Sequence, residues 1–163
     1  MADAPEGVFE GLLLYRISRV LAVAGGMVTR LCEGRFGITR REWRLIAVLA
    51  GHGALASSEL AIHAQLDRAR TSRAIGSLVA KGLLSRTQAP GDRRLVALRL
   101  TEAGIALHAE LLPLASAINT ELLGALDPTA AAALDQALDR LQAQADRMSA
   151  AAVLPKAARG RRG

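Results

Sequence analysis

The segment from Gly82 to Gly104, GLLSRTQAPGDRRLVALRLTEAG, narrows the possible folds more than any other part of the chain. Leu83 to Thr87 and Leu95 to Leu100 read as short strands around a turn-rich tip of Pro90, Gly91, Asp92, Arg93 and Arg94. Adjacent arginines are poor core residues, but a hairpin tip that carries them suits a phosphate backbone or a minor groove. Alone, the segment fits a solvated surface hairpin. The residues before it change that balance.

Ser57 reads as the cap of a short helix through Gln65, and Asp67 or a neighbour opens another that ends at Gly82 with Lys81 in its last turn. Two short helices joined by a tight turn and followed by a hairpin predict a helix-turn-helix with a wing. On a wheel of about 100° per residue centred on Ile75, Leu78, Val79, Thr71 and Ser72 fall on the inner side, and Arg73, Ser77 and Arg70 on the outer. That outer side holds no acid, whereas solvated helix faces usually interleave the two signs.

Charge points the same way. From Leu66 to Arg99 eight arginines and lysines face two aspartates, which equals the excess of +6 carried by all 163 residues. A positive charge concentrated in one segment is the footprint of a nucleic-acid binder. No aromatic residue lies within the segment, so a stacking mode for single strands is disfavoured and duplex DNA favoured.

Outside this region two apolar stripes stand out. Phe9 to Glu33 is predicted helical, with Leu13, Ile17, Val20, Ala24, Met27 and Leu31 on one face. Gly34 and Gly37 break that pattern, and Thr39 opens the next helix with a Thr39/Glu42 capping box and an Ile38/Trp43 staple, running to about Ala50. Near the other end, Asp127 and Pro128 start a helix with Leu134, Leu138, Leu141, Ala145 and Met148 at heptad-like spacing. A small winged lobe offers too little surface to cover both stripes, so a second chain is their expected cover. The fold class expected is mainly α with a small β-wing. A winged helix-turn-helix region, 37–100, is flanked by dimerisation helices in 1–36 and 101–150, with a basic disordered tail at 151–163.

With these elements in order, TRREWRLIAVLA, SSELAIHAQLDRARTSRAIGSLVAKGLLSR and GDRRLVALRLTEAG together resemble the MarR family of bacterial transcription regulators, over roughly Leu12 to Met148. The resemblance implies a homodimeric repressor of a roughly palindromic duplex operator, in the cytoplasm and on the nucleoid when bound. It places the recognition helix at Arg68 to Ala80 and the wing at Ala89 to Arg94. Arg70, Thr71, Arg73 and Ser77 are then expected at the major groove, Arg68 near phosphate, and Arg93 or Arg94 in the minor groove. Asp92 is expected to orient the wing through Arg73 or Arg86.

The resemblance also implies an effector cleft between the dimerisation helices and the lobe. Arg16, Arg19, Trp43, Arg44 and His108 are its candidates, for a small aromatic carboxylate or its coenzyme A thioester. TRREW resembles members linked to aromatic catabolism. A redox-responsive repressor using Cys32 is the alternative, with Arg30 and Arg35 able to lower its thiol pKa; a non-specific architectural DNA binder is another. His52, His63 and His108 are scattered and lack structural-zinc spacing, so neither metal nor cofactor is expected. No nucleophile with a base, carboxylate pair or phosphate loop marks an enzyme. The chain lacks a secretory pattern and an apolar run of the roughly 20 residues a membrane span needs.

Overall fold

The computed structural model describes residues 8–89 and 92–151, with backbone alone for residues 89 and 92–95. The chain divides into two compact units at Leu122/Leu123.

In the first unit, α1 (Val8–Gly11) and α2 (Leu13–Phe36) replace the single N-terminal helix expected from the periodicity. The chain is extended at Leu12, directly after the weak helix former Gly11, and the Phe9 and Tyr15 rings pack across the break with centroids 4.5 Å apart. Gly34 is carried within α2. Gly37 stops the helix by taking a left-handed φ of 63°, a conformation that costs glycine little. Of α2, Gly25 and Cys32 are buried, while Leu14 and Val23 are 80% and 75% exposed.

α3 (Arg40–His52) begins with the expected capping box: the Thr39 hydroxyl accepts from the Glu42 amide at 3.1 Å, and the Glu42 carboxylate accepts from the Thr39 amide at 2.6 Å. β1 (Leu55–Ala56) follows, then α4 (Ser57–His63) and α5 (Arg68–Ala80). Ser57 is the first residue of α4 rather than its cap; the free Ala56 amide donates instead to the Glu59 carboxylate at 2.8 Å. Asp67 caps α5 as expected, accepting from the Arg70 amide at 2.8 Å. Gly82, at φ 71°, ends the turn after α5, where the Leu83 amide reaches back to the Leu78 carbonyl at 2.9 Å.

The wing is β2 (Leu84–Ala89) and β3 (Asp92–Leu100), longer toward the tip than the sequence pattern predicts, with a register irregularity between Gln88 and Ala89. The sheet order is β1-β3-β2, all antiparallel, with Leu55 opposite Leu98 and Leu84 opposite Leu100. β1 was not expected, because two residues carry no readable period. The wing's base is tied to α6 (Glu102–Leu123): the Thr101 hydroxyl donates to the Gly82 carbonyl at 2.6 Å and accepts from the Gly104 amide at 3.1 Å. A side chain at residue 104 would collide with the Leu83 carbonyl, so this approach requires glycine.

One core joins these elements. Ile38, Leu45, Ile46, Leu49, Leu60, Ile75, Leu78, Leu98 and Leu111 are buried in it, so α3, α4, α5, the sheet and α6 share a common interior. The second unit holds α7 (Pro128–Ala151), started by Asp127, whose carboxylate accepts from the Ala130 amide at 2.8 Å. No residue of α7 is buried. No helix among the described residues is long and apolar enough to cross a membrane.

Candidate DNA-binding site

α4 and α5 form the helix-turn-helix, and the turn between them holds Gln65 at a positive φ of 51°. α5 buries Thr71, Ala74, Ile75 and Leu78, while Arg68, Ala69, Ser72, Arg73 and Gly76 are exposed. The buried arc is thus centred about 50° from Ile75, toward Ala74. That arc corrects three expectations, the groove-facing Thr71 implied by the resemblance and the wheel positions of Ser77 and Ser72. Thr71 is fully buried, its hydroxyl donating to the Asp67 carbonyl at 2.9 Å, so it cannot present its hydroxyl to a groove. Ser77 is half-buried beside the Glu42 carboxylate instead of facing outward. Ser72, assigned to the inner side by the wheel, is exposed and lines a shallow hollow with Ser57, Ser58 and Arg68.

Arg70 lies on the flank, its guanidinium 3.0 Å from the Asp67 carboxylate, with both side chains about half exposed. The Arg70 amide, followed by the nearby Arg70 and Arg73 charges, holds Asp67 below the usual carboxylate range. Arg73 remains exposed on the outer face, flanked by the small residues Ala69 and Gly76. Small neighbours let the backbone of such a face approach closely, while Arg73 and Ser72 supply polar reach. On the wing, Arg86 is exposed opposite Leu98, and Arg99 lies opposite Ser85 on the other face of the sheet. The side chains of Asp92, Arg93 and Arg94 lie outside the described residues, as does the tail 152–163.

Behind α5 sits a polar clasp that the sequence reading missed. The buried Glu42 carboxylate accepts from Lys81 Nζ at 2.8 and 3.0 Å, and Lys81 also donates to the Gly37 carbonyl at 2.9 Å. Burial alone would raise the Glu42 pKa; the hydrogen bonds from Lys81, Ser77 and Thr39, together with the Lys81 charge, outweigh it and hold the carboxyl below its ordinary range. Glu42 was legible as a helix cap, but its partner is 39 residues away and no local pattern marks it.

Of the five effector candidates, Trp43 and His108 meet: their rings stack with centroids 5.4 Å apart. Arg44 donates to the Ala64 carbonyl at 3.3 Å, at the end of α4. Arg16 and Arg19 are exposed on α2, with the Arg19 guanidinium 6.0 Å from the Tyr15 ring centre. Cys32 is fully buried, and burial pushes its thiol pKa up. The cation acting on it is Arg40, rather than the expected Arg30 or Arg35, and it does not overcome the burial. That environment disfavours thiolate chemistry. His52 and His63, distant in sequence, meet with ring centroids 4.3 Å apart, yet no group of three or more metal-binding side chains forms among the described residues.

A helix-turn-helix whose second helix exposes arginine and serine, followed at once by a hairpin, defines a winged-helix DNA-binding transcription regulator. The MarR family's sequence model matches residues 36–95. Among solved structures, the MarR family transcriptional regulator SPO1453 from Silicibacter pomeroyi DSS-3 is 32% identical, with 81% of this chain and 96% of that one covered and a TM-score of 0.68. Bordetella bronchiseptica BpsR, whose DNA binding is regulated by 6-hydroxynicotinic acid, is 25% identical over 78% of this chain and 98% of its own, with a TM-score of 0.65. The transcriptional repressor NicR of Pseudomonas putida is 31% identical over 90 residues, 55% of this chain and 57% of NicR. The chain spans 56% to 63% of the length of the curated relatives it matches. The chain belongs to the MarR family of transcription regulators.

Proposed function

We propose that the protein is a homodimeric repressor that reads a roughly palindromic duplex operator and releases it when a small aromatic carboxylate, or its coenzyme A thioester, enters beside Trp43 and His108. The observation that carries this reading is the outer face of α5, where Arg68, Ser72 and Arg73 are exposed without an acid among them, directly ahead of the wing. Arg73 is assigned to base edges, Arg68 with Ser57, Ser58 and Ser72 to a backbone phosphate, and Arg70 to the flank of the same contact. Arg93 or Arg94 is assigned to the minor groove and Arg86 to the wing's base. Segments 1–36 and 101–150 supply the dimer contacts, and a two-fold pair presents two copies of α5 about one DNA turn apart.

Two relatives support the regulatory half of this reading. NicR is a repressor, and BpsR answers to an aromatic carboxylate. The stacked Trp43 and His108 rings offer a flat wall to such a molecule. The cytoplasm is the compartment such a regulator works in.

The test begins with a duplex enriched by the wild-type protein from a random-sequence pool, compared with a scrambled duplex at fixed moderate salt. Arg73→Ala is expected to lose about 1–3 kcal/mol of discrimination between them. A panel of aromatic acids and their thioesters is then titrated into the wild-type complex, and one class is expected to dissociate it. Equal wild-type affinity for both duplexes would identify an architectural binder; indifference to the whole panel would remove the release step.

A further inference from the structure

The first turn of α3 reaches four other helices through four side chains. The Arg40 guanidinium lies so close to Gly25 of α2 that an added methyl there would come within 2.6 Å of it. Glu42 takes the ammonium of Lys81 at the end of α5, Trp43 stacks on His108 of α6, and Arg44 donates to the carbonyl that closes α4. Of these contacts, the one to α5 alone is ionic and has its carboxylate fully enclosed.

We propose that Glu42 and Lys81 are positioning residues for operator recognition: their ion pair sets the rotation and height of α5, and neither side chain reads the duplex. Three observations carry this. The three donors of the Lys81 ammonium are matched by Gly37 and the two Glu42 oxygens, so a basic residue of the DNA-binding lobe has its donors engaged within the lobe although its side chain stays 35% exposed. Lys81, at the end of α5, is held from two sides, by the Glu42 carboxylate of α3 and by the Gly37 carbonyl before it, and two anchors on one ammonium restrain both the sliding and the rolling of the helix end. Ser77 and Lys81 continue, in steps of four, the line that starts at Arg73, so a roll of α5 about its axis re-aims Arg73 directly. An ion pair with an enclosed carboxylate is a weak source of stability compared with apolar packing of the same volume, whereas fixing one geometry among several is a use such pairs have.

The proposal rests on the reading that α5 faces operator DNA, and its test separates the two. Glu42→Gln keeps an acceptor for the Thr39 amide, and with it the capping box, but removes the charge that holds Lys81. Lys81→Met removes the other half, and the double variant leaves no unpaired charge in the interior. Each is measured for affinity to the enriched and the scrambled duplex at the same salt, with sedimentation mass and thermal midpoint recorded alongside. The expected result is a loss of about ten-fold or more on the enriched duplex, the scale of one misplaced base contact, with scrambled-duplex affinity held within about two-fold. Lys81→Arg is expected to recover most of the loss, and the double variant to lose no more discrimination than Lys81→Met. If either single variant fails to fold, the double variant decides. Folded variants that discriminate as well as wild type, or lose equally on both duplexes, overturn the proposal alone. A wild-type protein that enriches no sequence overturns the reading of α5 and the proposal with it.

Discussion

The winged lobe and the long helices α2 and α7 treat their leucines in opposite ways. In the lobe, Leu45, Ile46, Leu60 and Leu78 are completely enclosed. Along α2 and α7, Leu14 is 80% exposed and Met148 61%, with Ile17, Val20, Leu138 and Leu141 also open to solvent. Both sets follow helical periodicity, so pattern alone does not say which will be covered within the chain. The lobe has four helices and a sheet around one centre and satisfies its apolar faces itself. The stripes of α2 and α7 are larger than the isolated apolar residues a surface normally tolerates, and a second copy of the chain is their proposed cover.

The sharpest way to break this contrast is to truncate a leucine in each region. Leu78→Ala is expected to cost about 2–5 kcal/mol in denaturant unfolding at any protein concentration, since it opens a cavity in a closed core. Leu141→Ala is expected to leave the monomer's stability within about 0.5 kcal/mol while lowering the unfolding midpoint at a given protein concentration and flattening its dependence on concentration as the dimer weakens. Sedimentation equilibrium gives the independent check, with Leu141→Glu expected to shift the mass toward that of one chain. Unchanged mass would mean that something other than a second copy covers the stripe.

A second measurement sharpens the contrast through pH. The Glu42 pKa is depressed in the folded protein, so its contribution is fully present above the unfolded carboxyl pKa of about 4.3 and is lost as pH falls through the depressed folded value. Unfolding midpoints are therefore expected to fall on acidification from about pH 5 downward. Glu42→Gln should flatten that acid limb without changing the slope at neutral pH. An acid limb equally steep in the variant would place the sensitivity elsewhere.

The smallest effect concerns the turn. Gln65 holds a positive φ of 51° between α4 and α5, a conformation that a side chain makes costly. Gln65→Gly is expected to raise stability by about 0.5–1 kcal/mol at most, reduced by the entropy that glycine adds to the unfolded chain. A clear loss of stability would show that the Gln65 side chain does more in the turn than strain it.

Legibility followed the range of each interaction. The Thr39/Glu42 box, the Asp67 and Asp127 caps and the Gly82 stop were readable because both partners lie within one or two turns of the chain. The helix-turn-helix, the wing and the family resemblance were readable for the same reason, as a fixed order of local signals. The wheel of α5 is off by about 50° because a lone helix does not reveal where its neighbours stand, which is why it places Ser77 outward and Ser72 inward; it places Thr71 correctly inside, and only the resemblance sends that residue to the groove. The Trp43/His108 stack was only partly legible: both residues were named as candidates, but their meeting was not foreseeable.

By itself the sequence determined the order of the main elements, most of their caps and stops, the basic helix and hairpin, and the two apolar stripes, all of which depend on neighbours a few residues apart. Tertiary structure alone decided which arc of α5 faces outward, that a two-residue strand completes the sheet, and that Glu42 finds Lys81. These outcomes depend on packing and desolvation across segments tens of residues apart, where several partners satisfy the local rules equally and burial selects one.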